Sequence, residues 1–258
     1  MKALDKRNLI LKGNMYEVLI TLSIPIMINN LIQTLYNLAD GVWVSKISSI
    51  HFAATAFVWP VNFLFISLGT GVSIAGTSLL SQLIGASDFE EANKYASHVI
   101  AISLISSVLF AIIGYWITPV VVHLMGATGD LAEYSNIYLK ITFLDLPFMF
   151  LFFNYNSIMN SQGNTVAPMI LGGISALLNV ILDPIFIFTL NMGIAGAAYA
   201  TLLSRALLAI WGLYLLMRSS SLVKPSLKNF KFDRKINVKI LKVALPSSIG
   251  QSGASLGF

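Results

Sequence analysis

Residues 15–45 read MYEVLITLSIPIMINNLIQTLYNLADGVWVS, and this stretch decides the fold. It is apolar enough to enter a bilayer and longer than the roughly 20 residues needed to cross it. Yet it carries Asn29, Asn30, Gln33, Tyr36, Asn37 and Asp40. At about 100° per residue, positions 29, 33, 36 and 40 fall within roughly 60° of one another on a helix. The polar residues therefore form a stripe that ends in a carboxyl group. An ionisable residue inside a membrane helix costs about 2.5–3.5 kcal/mol on insertion scales, and it normally faces a bundle interior or a wet cavity. Pro25 lies upstream and removes one helix hydrogen bond, which permits a bend. A bendable helix with a polar stripe and a buried acid reads as a moving part that binds something.

Composition agrees. Of 258 residues, 56% are hydrophobic and 10% charged, against about 25% charged in a soluble domain. Six apolar spans follow in order, at about 15–45, 52–84, 95–119, 135–160, 166–190 and 194–217. The third is expected to end near Pro119, and 85–94 to form a polar hairpin. Asn160 to Thr165 and Asn191 to Gly193 read as turns. The expected fold is an all-α membrane protein: a six-helix lobe of a pseudo-two-fold transporter, plus the start of a seventh helix. The absence of cysteine excludes disulfides, thiolate-bound zinc, iron–sulfur clusters and thiol nucleophiles. His51, His98 and His123 have no metal-ligand spacing and read as structural or interfacial. No cofactor is expected. The net charge of +5 forms no basic folded face for nucleic acid. The first span is too long for a signal peptide and lacks a small-residue cleavage site.

The charge marks topology instead. The 1–14 tail, Lys94 and the 218–242 segment hold thirteen of the sixteen Lys and Arg residues, while Lys46 and Lys140 fall on the other side. The positive-inside rule then places the N-terminus in the cytoplasm of a multi-pass cell-membrane protein. The domains read as a basic tail (1–14), a transmembrane lobe (15–217), a basic linker (218–239) at the anionic inner leaflet, and an apolar stretch (240–258) cut off at Phe258. That stretch, Val243-Ala-Leu-Pro-Ser-Ser-Ile-Gly-Gln251, echoes Leu22-Ser-Ile-Pro-Ile-Met-Ile-Asn-Asn30 in its early proline and in the amide five residues later. It reads as the start of a second lobe, and repeated halves are a transporter architecture.

The chemistry concentrates in three spans. In Leu178-Asn-Val-Ile-Leu-Asp-Pro184, Asn179 and Asp183 stack on one helix face. Pro184 cannot donate to the Val180 carbonyl, and so marks a second hinge beside Pro25. With the N-terminus inside, Asp40, Asp183 and Thr201 lie about five to seven residues below the outer surface, or roughly 8–10 Å deep. Two carboxyls that close in a low dielectric do not readily ionise together. A shared proton fits Asp40, Asn179, Asp183 and Thr201, and so does a bound Na⁺. In the fourth span Asn154, Ser157 and Ser161 share a face that either lines a cavity or bonds across helices; Asn154 stands as a candidate substrate contact. Asp145, near Pro147, reads as interfacial. Arg205, four residues after Thr201, is available to pair with an acid. The glycines of Gly193-Ile-Ala-Gly-Ala-Ala198 are expected to allow close helix packing.

The stretch from Pro25 to Asp40 carries a resemblance, together with Gly69-Thr-Gly-Val-Ser73, Ser81-Gln-Leu-Ile-Gly85, Gln162-Gly-Asn-Thr-Val-Ala-Pro168, Asn179-Val-Ile-Leu-Asp-Pro184 and Gly193-Ile-Ala-Gly-Ala-Ala-Tyr-Ala-Thr201. The chain resembles the N-terminal half of the multidrug and toxic compound extrusion (MATE) transporters over essentially its whole length. The resemblance implies twelve helices in two lobes, of which the C-terminal lobe is the expected missing partner, and a monomer when full length. It implies antiport: export of amphipathic, often cationic organic compounds, driven by inward H⁺ or Na⁺. It implies an ion site at Asp40, Asn179, Asp183 and Thr201, and a drug cleft lined by Gln33, Tyr36, Tyr138 and Asn156. Two departures stand out. Asn160 and Ser161 occupy places where relatives often have an arginine, and Asp145 stands where a small residue is usual. Three other readings remain open: a lipid-linked saccharide flippase of the same architecture, an inactive half-transporter, and an intramembrane enzyme. The last would need a nucleophile or metal set that the dispersed histidines do not provide.

Overall fold

The computed structural model describes residues 3–218, 221–226 and 230–253. Parts of the expected tail (1–2), linker (219–220 and 227–229) and final stretch (254–258) lie outside the described residues. A short helix α1 (Ala3–Lys12) leads into α2 (Met15–Ser45), α3 (Ser49–Gly85), α4 (Phe89–Leu124), α5 (Gly129–Ser161) and α6 (Val166–Pro184). A π turn over Ile185–Thr189 follows, then α7 (Gly193–Arg218) and α8 (Arg234–Gly253). Six of these segments are long and apolar enough to cross a membrane, including α6 taken with its π turn. Among the described residues there is no strand.

Local chemistry sets the ends. Asn14, Ser48 and Asp88 accept hydrogen bonds from Tyr16, His51 and Glu91 N–H groups at the starts of α2, α3 and α4, which satisfies donors that the helices leave free. The expected polar hairpin at 85–94 is shorter than its sequence suggests. Glu90 and Glu91 lie in the first turn of α4, where their charge suits the positive end of the helix dipole. Pro119 does not end the third span. It lies inside α4, which runs on to Leu124, because the apolar flanks offer the remaining backbone groups no better partners. Pro184 does change the chain. It has no N–H to continue the α ladder, and the next turn opens to π spacing, with Leu190 N–H reaching back five residues to the Ile185 carbonyl at 2.9 Å.

The core centres on α5, whose Phe150, Tyr155 and Ile158 are buried among α3, α4 and α7. Helix α2 is peripheral. It lies along α6, where Gly172 faces Asn29; Met27 and Leu38 on α2 are 67% and 65% exposed, so that surface must meet lipid or another protein surface rather than water. One end of the bundle gathers α1, the α3–α4 turn, the α5–α6 turn and the 221–226 segment. Arg7 donates there to the Ile84 and Gly85 carbonyls at 2.9 and 3.0 Å. Helix α8 starts at Arg234, so the last residues assigned to the linker belong to it, and it packs against α3. Gly71 permits this contact: a Cβ there would meet the Ala244 carbonyl at 2.7 Å and collide with the Ser248 hydroxyl.

Candidate functional site

A cavity of about 460 Å³ opens between α2, α3, α5 and α7. The α2 stripe forms one wall as expected: Asn29, Asn30, Gln33, Tyr36, Asn37 and Asp40 all line it. Tyr138 and Asn156 face them from α5, and Thr201 and Arg205 from α7. Trp59 and Asn62 add a wall from α3 that the sequence reading did not name. The signal was present, in an amide two residues after Pro60 within the apolar run 56–66.

Behind the wall lies a second polar layer. Asn179 and Asp183 do not line the cavity, and both are buried, at 1% and 0% exposure. Asp183 is therefore not a helix-end residue at the surface. Asn179 Nδ2 donates to Asp183 Oδ1 and to Thr201 Oγ1, each at 3.2 Å. Thr201 Oγ1 also lies 3.2 Å from the Tyr36 hydroxyl. Thr201 and Tyr36 thus join the buried layer to the cavity wall. Asp40 Oδ1, Asn179 Oδ1 and Asp183 Oδ2 are buried and make no hydrogen bond. A buried oxygen without a donor is costly, and oxygen is the donor type that a proton or a small hard cation takes.

Two expectations require correction. Asn154 does not contact the cavity. It is buried and accepts a 3.0 Å bond from Ser103 of α4, because the face it shares with Ser157 turns toward α3 and α4; Ser157 bonds Thr77 of α3 at 3.3 Å. Asp145 is not interfacial either. It is 2% exposed, lines the cavity and forms an ion pair with Arg205. Spanning sixty residues, this pair has no local signature. At the expected hinges, Pro25 is buried within an unbroken α2 and Pro184 marks the change from α to π spacing. Gly196 packs on the π turn, where a Cβ would meet the Phe186 carbonyl carbon and oxygen at 2.7 Å, as the close-packing expectation for that glycine requires.

This geometry can be set beside known proteins. The MatE family model matches residues 25–185, a range that runs from Pro25 of α2 through Asp40 to the Asn179–Asp183 pair. The chain belongs to the MatE family. Multidrug export protein MepA of Staphylococcus saprophyticus is 29% identical over 92% of this chain and 52% of its own length. A MOP superfamily transporter from Pyrococcus furiosus, described as having a binding pocket of reversed polarity, superimposes with a TM-score of 0.91 at 35% identity, over 96% of this chain and 55% of that one. A MATE structure in the bent conformation gives a TM-score of 0.91 at 34% identity, over 99% and 56%. This MatE chain therefore spans about half the length of the relatives it matches, and its helices have the architecture of one lobe.

Proposed function

We propose that this MatE chain forms the N-terminal lobe of a cation-coupled antiporter that exports amphipathic organic cations across the cell membrane, with its N-terminus in the cytoplasm. The observation that carries this reading is the linked pair of layers. Asp40 belongs to the cavity wall, while Asp183 and Asn179 lie behind it and reach it through Thr201 and Tyr36. Ion occupancy at the buried oxygens and cargo in the cavity therefore compete through shared side chains. H⁺ and Na⁺ both suit the donor set. One charge falling through 100 mV supplies about 2.3 kcal/mol, so one or two ions support roughly 50- to 2,000-fold accumulation. Bending of α2 at Pro25 is the motion proposed to open the cavity. Gln33, Tyr138 and Asn156 are the proposed cargo contacts, and a second lobe completes the cleft.

The charge balance of the wall favours cationic cargo. Asp145 neutralises Arg205, which leaves the Asp40 carboxyl as the cavity's net charge. A flippase for a lipid-linked saccharide pyrophosphate would require the opposite sign. In the full-length protein, Asp40→Asn and Asp183→Asn are each expected to abolish efflux of a fluorescent organic cation from energised cells while leaving expression unchanged. Normal efflux by either variant would refute the proposed ion site. Imposed Na⁺ and pH gradients in proteoliposomes identify the coupling ion. Accumulation of a lipid precursor in a deletion strain would instead favour the flippase. Efflux by the 258-residue chain alone, with and without a co-expressed second lobe, tests the half-transporter reading.

A further inference from the structure

A second cleft, of about 630 Å³, lies at the end of the bundle where the 221–226 segment runs over α4. Side chains of α4 hold this segment through its backbone. Asn93 Oδ1 accepts from Lys224 N–H at 2.6 Å, and Ser97 Oγ from Ser226 N–H at 3.0 Å. His98 is buried; its Nδ1 lies 2.8 Å from the Lys94 carbonyl, and its Nε2 accepts from Asp233 N–H at 3.1 Å. From the α5–α6 turn, Gln162 Oε1 accepts from Leu222 N–H at 2.8 Å. The cleft is thus part of a built surface rather than a gap beside a loose strand.

Its rim is cationic. Lys94, Lys224, Lys231 and Arg234 line it against a single carboxylate, Asp233. Asp233 Oδ1 is already engaged by Lys235 N–H at 2.7 Å at the start of α8. Lys94 is neutralised by Glu90 and Glu91. Among the described residues, no carboxylate pairs with Lys224, Lys231 or Arg234. Beside them Phe232 is 64% exposed while the Phe230 ring packs against His98 at a tilt of 55°. Three unpaired cations around a concave floor, next to an outward-facing aromatic ring, match an anionic phosphate group with an apolar neighbour.

We propose that this cleft is a binding site for a phosphate ester, held by Lys224, Lys231 and Arg234. Its position at a bundle end and the exposed Phe232 point to the headgroup of an anionic phospholipid, which would fasten the 221–226 segment and the start of α8 to the leaflet and to α4 at once. A soluble phosphate ester shares the recognised chemistry.

Native mass spectrometry of the purified chain released from detergent, titrated with phosphatidylglycerol or phosphatidylcholine, tests this. One phosphatidylglycerol is expected to bind in preference to phosphatidylcholine. The surface variant K224Q/K231Q/R234Q is expected to bind it about 100-fold more weakly, from roughly fivefold per cation. The charge-matched variant K12Q/K46Q/K140Q is expected to bind as the parent does. Retention unaffected by millimolar inorganic phosphate and weakened by Phe232→Ser assigns the site to the leaflet. Displacement by inorganic phosphate assigns it to soluble esters. Equal binding of the two lipids, or equal losses in the two triple variants, would overturn the proposal.

Discussion

The Asp145–Arg205 pair offers the sharpest test of the cavity, because its two ends sit in different surroundings. The Asp145 side chain is 3% exposed and that of Arg205 24%. Arg205→Met strands a buried carboxylate whose Oδ1 already lacks a partner. Breaking a buried ion pair from one side costs about 3–5 kcal/mol. Asp145→Asn keeps an acceptor oxygen and leaves a guanidinium that cavity water can reach, so only a charged hydrogen bond is weakened, at about 1.5–3 kcal/mol. At about 2–4 °C per kcal/mol for a chain of this size, the melting temperature in detergent should fall by roughly 6–20 °C for Arg205→Met and 3–12 °C for Asp145→Asn. The apolar double variant D145L/R205M should recover much of the loss, since a buried pair replaced by packed apolar groups is often neutral or better. The cavity's charge changes as well. Its lining carries two carboxyls and one guanidinium, so Asp145→Asn takes the formal sum from −1 to 0. A unit charge about 8 Å away at an effective dielectric of about 20 is worth about 2 kcal/mol, or roughly 30-fold in the affinity of a cationic dye. Thermal scans by fluorescence-detected chromatography and dye titration read the two effects separately. If Asp145→Asn melts below Arg205→Met, or the double variant melts at the sum of the single losses, the argument from unequal burial fails. Unchanged dye affinity in Asp145→Asn would refute the charge balance.

Other consequences follow from single contacts. Thr201→Val keeps shape but removes the hydroxyl shared by Asn179 and Tyr36; full-length protein should fold normally yet transport cargo without ion dependence, and intact coupling in a gradient assay would count against Thr201 as the junction. Gly196→Val forces α7 away from the Phe186 backbone and should destabilise by about 1–3 kcal/mol, seen as a lower melting temperature, whereas Gly85→Val, with nothing within 4 Å, should be neutral or stabilising by about a few tenths of a kcal/mol, because valine is the better helix former. His98→Phe retains a ring against Phe230 but loses the acceptor for Asp233 N–H; a lost hydrogen bond of about 1 kcal/mol should speed amide exchange at Asp233 about fivefold, and unaltered exchange would show that the bond does not hold the segment.

Much of this molecule is written in features local to one helix. The α2 stripe, the Asn179–Asp183 pair and the turn at 191–193 follow from helical period and backbone chemistry, which need no partner to be read. Of the two glycines expected to allow close packing, Gly196 does so against the Phe186 backbone, whereas Gly193, at φ +55° with nothing within 4 Å, serves the turn. Asn154 and Asn156 show where that kind of reading stops. They are two residues apart and so point to nearly opposite sides of α5; only the positions of α3 and α4 decide that Asn156 meets the cavity and Asn154 meets Ser103. Asp145 and Arg205 are the same lesson at longer range, since their burial and pairing exist only once α5 and α7 pack. Pro119 and Pro184 have the same local chemistry, yet α4 continues through the first while the chain widens to a π turn after the second, against which Gly196 of α7 packs. Periodicity along one chain thus set the spans and the polar faces. The packing of helices distant in sequence decided which polar groups share a cavity, which are used up between helices, and which buried oxygens are left without a donor.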